Sequence, residues 1–211
     1  MAEKNYSFVE VEYTGRLADG SVFDTTDEKI AKDSGLFREK SKYGPVVVCL
    51  GAGHLVKGLE DELKGKGAGT FVVSLSADKA FGRKDVRLVQ LVPMKKLADS
   101  NIRPFPGLQL NIDGALATVK AVSGGRVMVD FNHPLAGRDV VYEVKIIRGV
   151  SDDAEKAKAV FELEAGMSVK VEKKGGGLIV KGVKKEFWDV VKKRLSEFID
   201  TNIVFEEDKS S

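Results

Sequence analysis

Hydrophobic positions along the chain change spacing several times, and each change predicts an element. From Phe8 to Tyr13, Val9, Val11 and Tyr13 face one way and Glu10 and Glu12 the other, the period-two pattern of a half-buried strand. Asp19-Gly20 before Val22-Phe23 signals a hairpin, since both turn residues tolerate positive φ. Residues 26–42 are polar and predict a surface loop with a short helix around Glu28 to Lys32. Val46 to Leu50 is an unbroken apolar run and predicts a buried strand. Leu55, Val56, Leu59 and Leu63 recur at helical spacing, with Gly65 and Gly67 expected to close the helix in left-handed backbone. Phe71, Val73 and Leu75 alternate again. Together these make one α+β unit, antiparallel strands wrapped over a single helix.

After Gly82 the pattern becomes a meander. Asp113-Gly114 and Gly124-Gly125 mark turns around strands at 116–122 and 126–131, and residues 84–131 read as a small all-β module. Val140 to Ile147 is one more strand, able to return to the first unit. Residues 151–211 are long enough for a core of their own, in the order α-β-β-α-β. Asp152 and Glu155 have capping-box spacing, and Gly175 to Gly177 turn a hairpin. Phe187, Trp188, Val191, Leu195, Phe198 and Ile199 stripe a second helix, Ile203 to Phe205 form a last strand, and Glu206 to Ser211 should fray.

Charge and composition narrow the classes of function. A formal net charge of +2 on 211 residues gives no electrostatic footprint for nucleic acid, and 43% apolar content is that of a globular protein. The tail balances twelve Lys and Arg against thirteen Asp and Glu, so its lysine cluster (Lys170, Lys173, Lys174, Lys181, Lys184, Lys185) reads as a solvated face. No apolar run reaches the ~20 residues of a membrane span. Met1 to Asn5 lead straight into a strand without an apolar signal core. The single cysteine, Cys49, sits in an apolar strand and reads as an inert buried thiol. His54 and His133 have no ligand-spaced companions, so no metal or cofactor is expected. The cytoplasm is the expected compartment.

Three ordered segments carry a resemblance. Val11-Glu12-Tyr13-Thr14-Gly15 with Asp19-Gly20-Ser21-Val22-Phe23-Asp24, then Leu50-Gly51 with Leu55-Val56-Lys57-Gly58-Leu59-Glu60, then Ala80-Phe81-Gly82, resemble FKBP-type peptidyl-prolyl cis/trans isomerases. Val129-Asp130-Phe131-Asn132-His133-Pro134-Leu135-Ala136-Gly137 is similar to the flap return of their SlyD-like branch, which carries an insert-in-flap domain. The tail and the polar insertion at 26–42 resemble the long archaeal members. The resemblance implies an FKBP half-barrel at 1–83 plus 132–150, an inserted chaperone domain at 84–131, and a C-terminal α/β domain at 151–211.

By residue type alone, Tyr13, Phe23, Leu55, Val56 and Leu59 are core residues and Asp24 a turn or cap residue. The resemblance instead implies a prolyl pocket of Tyr13, Phe23, Asp24, Val46, Leu55, Val56, Leu59, Phe81 and Tyr142. Leu59 would be the floor, Phe23 and Tyr142 the walls, the Val56 N–H a holder of substrate carbonyl, and Asp24 a carboxylate bonded to Tyr13. Two positions depart from the family: Leu59 stands where tryptophan is common, and Phe81 where tyrosine is common. The resemblance further implies that the insert binds unfolded, proline-containing clients. Leu91, Val92, Met94, Ile102 and Phe105 are the candidate contacts, set against a reading of them as the insert's own core. It also implies a homodimer through the tail. The alternative function is a holdase or assembly module with weak isomerase activity.

Overall fold

The computed structural model describes residues 6–99, 101–112 and 114–206. The expectations about Met1 to Asn5, Asp113 and residues 207–211 lie outside the described residues. In chain order the strands and helices are β1 (Ser7–Leu17), β2 (Val22–Thr25), α1 (Glu28–Asp33), β3 (Val46–Leu50), α2 (Lys57–Leu63), β4 (Gly69–Leu75), β5 (Val89–Pro93), α3 (Met94–Ala98), β6 (Gln109–Ile112), β7 (Ala115–Ser123), β8 (Arg126–Asp130), β9 (Val140–Gly149), α4 (Asp153–Ala165), β10 (Lys170–Lys174), β11 (Gly177–Lys181), α5 (Trp188–Leu195) and β12 (Ile203–Glu206). They fall into two compact units: residues up to 75 with those from 139 onward, and residues 76–138.

In the first unit, β1 is the organising strand. Its first half pairs with β3, its second half with β2, and its other edge runs along β9, which continues to β4; every pairing is antiparallel. Irregularities at Glu10/Val11 and Gly15/Arg16 let so long a strand bend. Helix α2 packs against β3 and β4 and buries Leu59 and Leu63 completely. It begins only at Lys57, so Leu55 and Val56 precede it rather than extend its apolar stripe. Gly65 takes a positive φ of 75°, whereas Gly67 has none.

The C-terminal segment does not close a core alone. Phe8, Cys49 and Val150 belong to the same buried cluster as Phe161, Leu178, Leu195 and Ile203. Asp152 caps α4 by accepting from the N–H groups of Ala154 and Glu155. Helix α5 is shorter than the apolar stripe suggested: it ends at Leu195, Phe198 and Ile199 follow in tight turns, and Phe187 is half exposed. Strand β12 runs parallel to β11, so β11-α5-β12 is a crossover unit.

The second unit is a four-stranded antiparallel sheet, β5-β8-β7-β6, over a core of Leu97, Leu110, Ala117, Val119, Val127 and Val129. It is not all-β. Pro93, with φ at −59°, starts α3 in a run of good helix formers that buries Leu97. Among the described residues no helix is long and apolar enough to cross a membrane.

Candidate functional site

The β1–β2 hairpin and β9 bring four of the expected residues together. Gly15 pairs with Asp24 on one side and with Tyr142 on the other. Over it the Phe23 and Tyr142 rings meet edge-on, centroids 5.6 Å apart, and Tyr13 meets Tyr142 at 6.2 Å. A Cβ at Gly15 would stand 2.6 Å from Phe23 Cζ and 2.9 Å from Tyr142 Cε1. Only glycine lets the rings approach the sheet so closely. Sequence reasoning quoted Gly15 within a motif but gave it no role.

The Tyr13 hydroxyl donates to Asp24 Oδ2 at 3.2 Å. The protein packed around Asp24 raises its carboxyl above the usual range, although the Tyr13 hydroxyl and the Thr25 N–H pull the other way. Burial, and then the Asp24 charge, push the Tyr13 and Tyr142 phenols up, so both stay protonated donors at neutral pH. Tyr13, Phe23, Asp24 and Val46 border a cavity of about 360 Å³, whose other side comes from the 26–45 segment, including Leu36, Arg38 and Tyr43. Tyr142 is 3% exposed and stands behind Phe23. Leu55, Val56 and Leu59 are not walls of this cavity.

Below Val56 the 51–55 loop is shaped by Glu60, which sequence reasoning read as a polar helix residue. It is 4% exposed, and its carboxylate accepts from the N–H groups of Gly51 (3.0 Å), Gly53 (3.1 Å) and Leu55 (3.1 Å). The Val56 N–H itself donates to no acceptor among the described residues, while its carbonyl starts α2. His54 is buried. Its Nδ1 accepts from the Cys49 N–H at 3.0 Å, which places the ring proton on Nε2, facing Glu164 Oε1 at 3.1 Å. Arg194 donates to both oxygens of Glu164 and, with His54, holds that carboxyl below its usual range. His54 is thus a structural link from the loop to α4 and α5.

In the second unit, Phe81 stacks on His133, centroids 4.6 Å apart and nearly coplanar, and His133 Nδ1 accepts from the Leu135 N–H. Of the candidate client contacts, Leu91 and Phe105 are each 58% exposed, whereas Val92, Met94 and Ile102 pack on the unit's own core. Sequence reasoning missed Met128 and Leu116, both exposed. Met128 lies opposite Leu91 on β5 and Ala121 on β7, an apolar row across three strands. The alternation of Arg126 to Asp130 was the available signal. Among the described residues no group of three or more His, Cys, Asp or Glu side chains could hold a metal ion.

An antiparallel sheet over one short helix, with an aromatic cleft and a single tyrosine-bound carboxylate, defines a prolyl-isomerase type of domain. A family model for FKBP-type peptidyl-prolyl cis-trans isomerase matches residues 2–98, and a model described as FKBP26, IF domain matches residues 90–135. The chain is 31% identical over 144 residues to the short-type peptidyl-prolyl cis-trans isomerase of Methanocaldococcus jannaschii, covering 68% of this chain and 91% of that one. It is 35% identical over 143 residues to the FKBP-type isomerase SlyD of Aeromonas hydrophila, covering 66% of this chain and 61% of that one. It is 30% identical over 148 residues to the FKBP-type 16 kDa isomerase of Escherichia coli K12, covering 67% and 89%. The chain belongs to the FKBP-type peptidyl-prolyl cis-trans isomerase family.

Proposed function

We propose that this chain speeds cis/trans isomerisation of X-Pro bonds in unfolded or partly folded polypeptides, with Tyr13, Phe23 and Asp24 meeting the substrate, the Val56 N–H holding it, and the buried Leu59 and Tyr142 side chains backing the catalytic residues. Val46 and Leu55 flank the bound peptide. The reaction needs no nucleophile: the barrier of about 18–20 kcal/mol is the loss of amide resonance on twisting. The apolar ring wall at Phe23 favours the twisted bond, which has less charge separation than the planar one. Asp24, fixed by the Tyr13 hydroxyl, faces the rotating carbonyl and sets the field there. The Val56 N–H, which meets no acceptor among the described residues, is the donor for a substrate carbonyl.

The observation that carries this reading is the Phe23–Tyr142 ring pair closed over Gly15 beside the Tyr13–Asp24 hydrogen bond. Its test is a protease-coupled assay on a proline tetrapeptide. The full chain accelerates relaxation, and Phe23→Ala lowers kcat/KM about ten-fold or more, equivalent to about 1.4 kcal/mol. An unchanged rate in that variant removes Phe23 from the site.

The exposed Leu91–Met128 row, with Leu116 and Phe105, supports a second activity, holding unfolded clients on the 84–131 insert. Catalysis of a proline-limited refolding reaction separates the two roles. With residues 84–131 replaced by a short loop, the tetrapeptide rate persists and the refolding rate falls. Exposed Phe187, Val190 and Val204 support a homodimer through residues 151–211, checked by sedimentation. We further propose a functional division into 1–83 plus 132–150, 84–131 and 151–211, which differs from the two compact units, and a cytoplasmic protein of archaeal type.

A further inference from the structure

The 26–45 segment has no part in the mechanism above, yet it builds one side of the cavity at Phe23 and Asp24. Its conformation is fixed by the segment's own bonds. Asp27 caps α1 by accepting from the Ile30 N–H at 2.8 Å, and the Leu36 N–H returns to the Ala31 carbonyl at 2.8 Å. The Arg38 N–H donates to the Tyr43 hydroxyl at 2.9 Å, Phe37 stacks on Tyr43 with centroids 5.4 Å apart, and the Gly44 N–H donates to the Thr26 carbonyl at 2.7 Å. This wall is therefore preformed, so a ligand need not order it.

The charges on the cavity's border are unequally matched. Asp24 is engaged by Tyr13 and by the Thr25 N–H. The Lys42 ammonium is paired with Glu162 on α4. Arg38 forms no ion pair among the described residues. A planar guanidinium fork beside a peptide cleft matches a carboxylate. Asp24, of the same sign as such a ligand, would direct it to the Arg38 side of the cavity.

We propose that the 26–45 segment forms a specificity subsite that favours an acidic side chain next to the substrate proline, with Arg38 as its recognising charge. This rests on the isomerase reading, which it deepens by naming the substrate class.

The experiment uses the full chain and two tetrapeptide series, one varying the residue before proline and one the residue after it, each as Glu, Leu or Lys. In at least one series kcat/KM for Glu exceeds that for Lys by about three- to ten-fold at low ionic strength, as a partly exposed ion pair allows, and the ratio shrinks in about 0.5 M salt. Arg38→Ala brings the ratio near one, and Arg38→Glu inverts it. Calorimetric affinities of the same peptides carry the same comparison. A chain that accelerates none of the peptides therefore defeats the isomerase reading while the Glu-to-Lys affinity ratio still decides the subsite. Equal rates and equal affinities for Glu and Lys peptides in both series overturn the subsite and leave the isomerase standing. A Glu preference that survives Arg38→Glu overturns it as well.

Discussion

At Gly15 the absence of one atom holds the cleft's walls in place. Gly15→Ala would put a methyl group 2.6 Å from Phe23 Cζ, so the rings must shift. Overpacking of this kind costs about 1–3 kcal/mol. The expected outcome is a lower melting temperature together with a loss of tetrapeptide isomerase activity larger than the stability change alone explains. Asp24 supplies a second prediction. Its carboxyl is raised by the protein around it, so the folded state binds this proton more tightly than the unfolded chain does. If the carboxylate is the working form, the acid limb of the kcat/KM profile lies above the ordinary value of about 3.9, and Asp24→Asn lowers the rate and removes that limb. A limb that persists in the Asn variant assigns the titration elsewhere. Tyr13, Phe23 and Asp24 were legible because a motif fixes them on a predicted hairpin. Gly15 was not, because what it does is leave room for rings brought from 8 and 127 residues away, which no local pattern encodes.

At the scale of elements, the 51–55 loop is held from two directions. Glu60 reaches up from α2 to its N–H groups, and His54 reaches across to Glu164 on α4, whose carboxylate Arg194 on α5 also holds. Glu164→Gln weakens the Arg194 fork and the acceptor for a buried imidazole N–H, and should cost about 1–2 kcal/mol at neutral pH, since the carboxylate is partly exposed. Because the folded pKa of Glu164 is depressed, its contribution is fully present above the unfolded value of about 4.3 and is lost as pH falls through the folded value. Melting curves of wild type and variant should thus differ at pH 7 and converge on acidification. A constant difference across that range would show that the charge on Glu164 is not what matters. Alternation gave β1 and β4, and the Leu59–Leu63 spacing gave α2, since burial on one face imprints a local period, while an unbroken apolar run gave β3. The ends were less legible: α5 stops at Leu195 because the remaining apolar residues are used by turns, and α3 is a short run of helix formers inside a segment whose meander had suggested only sheet. The roles of Glu60 and His54 were not legible, since their partners are backbone N–H groups and a distant helix.

For the first compact unit as a whole, the consequential fact is that residues 151–206 complete a core begun at Phe8 and Cys49. The length of the tail suggested self-sufficiency, and length alone could not reveal that its apolar face needs β1 and β3 as the other half. Cys49 reports on this directly. It is fully buried, and burial, followed by the nearby Glu60 charge, pushes its thiol up to about 12. At pH 8 almost none of it is thiolate, the form that attacks disulfide reagents. The intact chain should therefore react with such a reagent only as fast as it opens. A chain ending at Val150 keeps the β1–β9 and β1–β3 pairings but loses Phe161, Leu178, Leu195 and Ile203 from around the sulfur. Water then reaches Cys49, its pKa falls toward the ordinary value of about 8.5, and labelling should quicken by orders of magnitude, with a lower melting temperature. Should the shortened chain fold and still shield Cys49 as well as the full one does, the tail is an appendage and not half of the core.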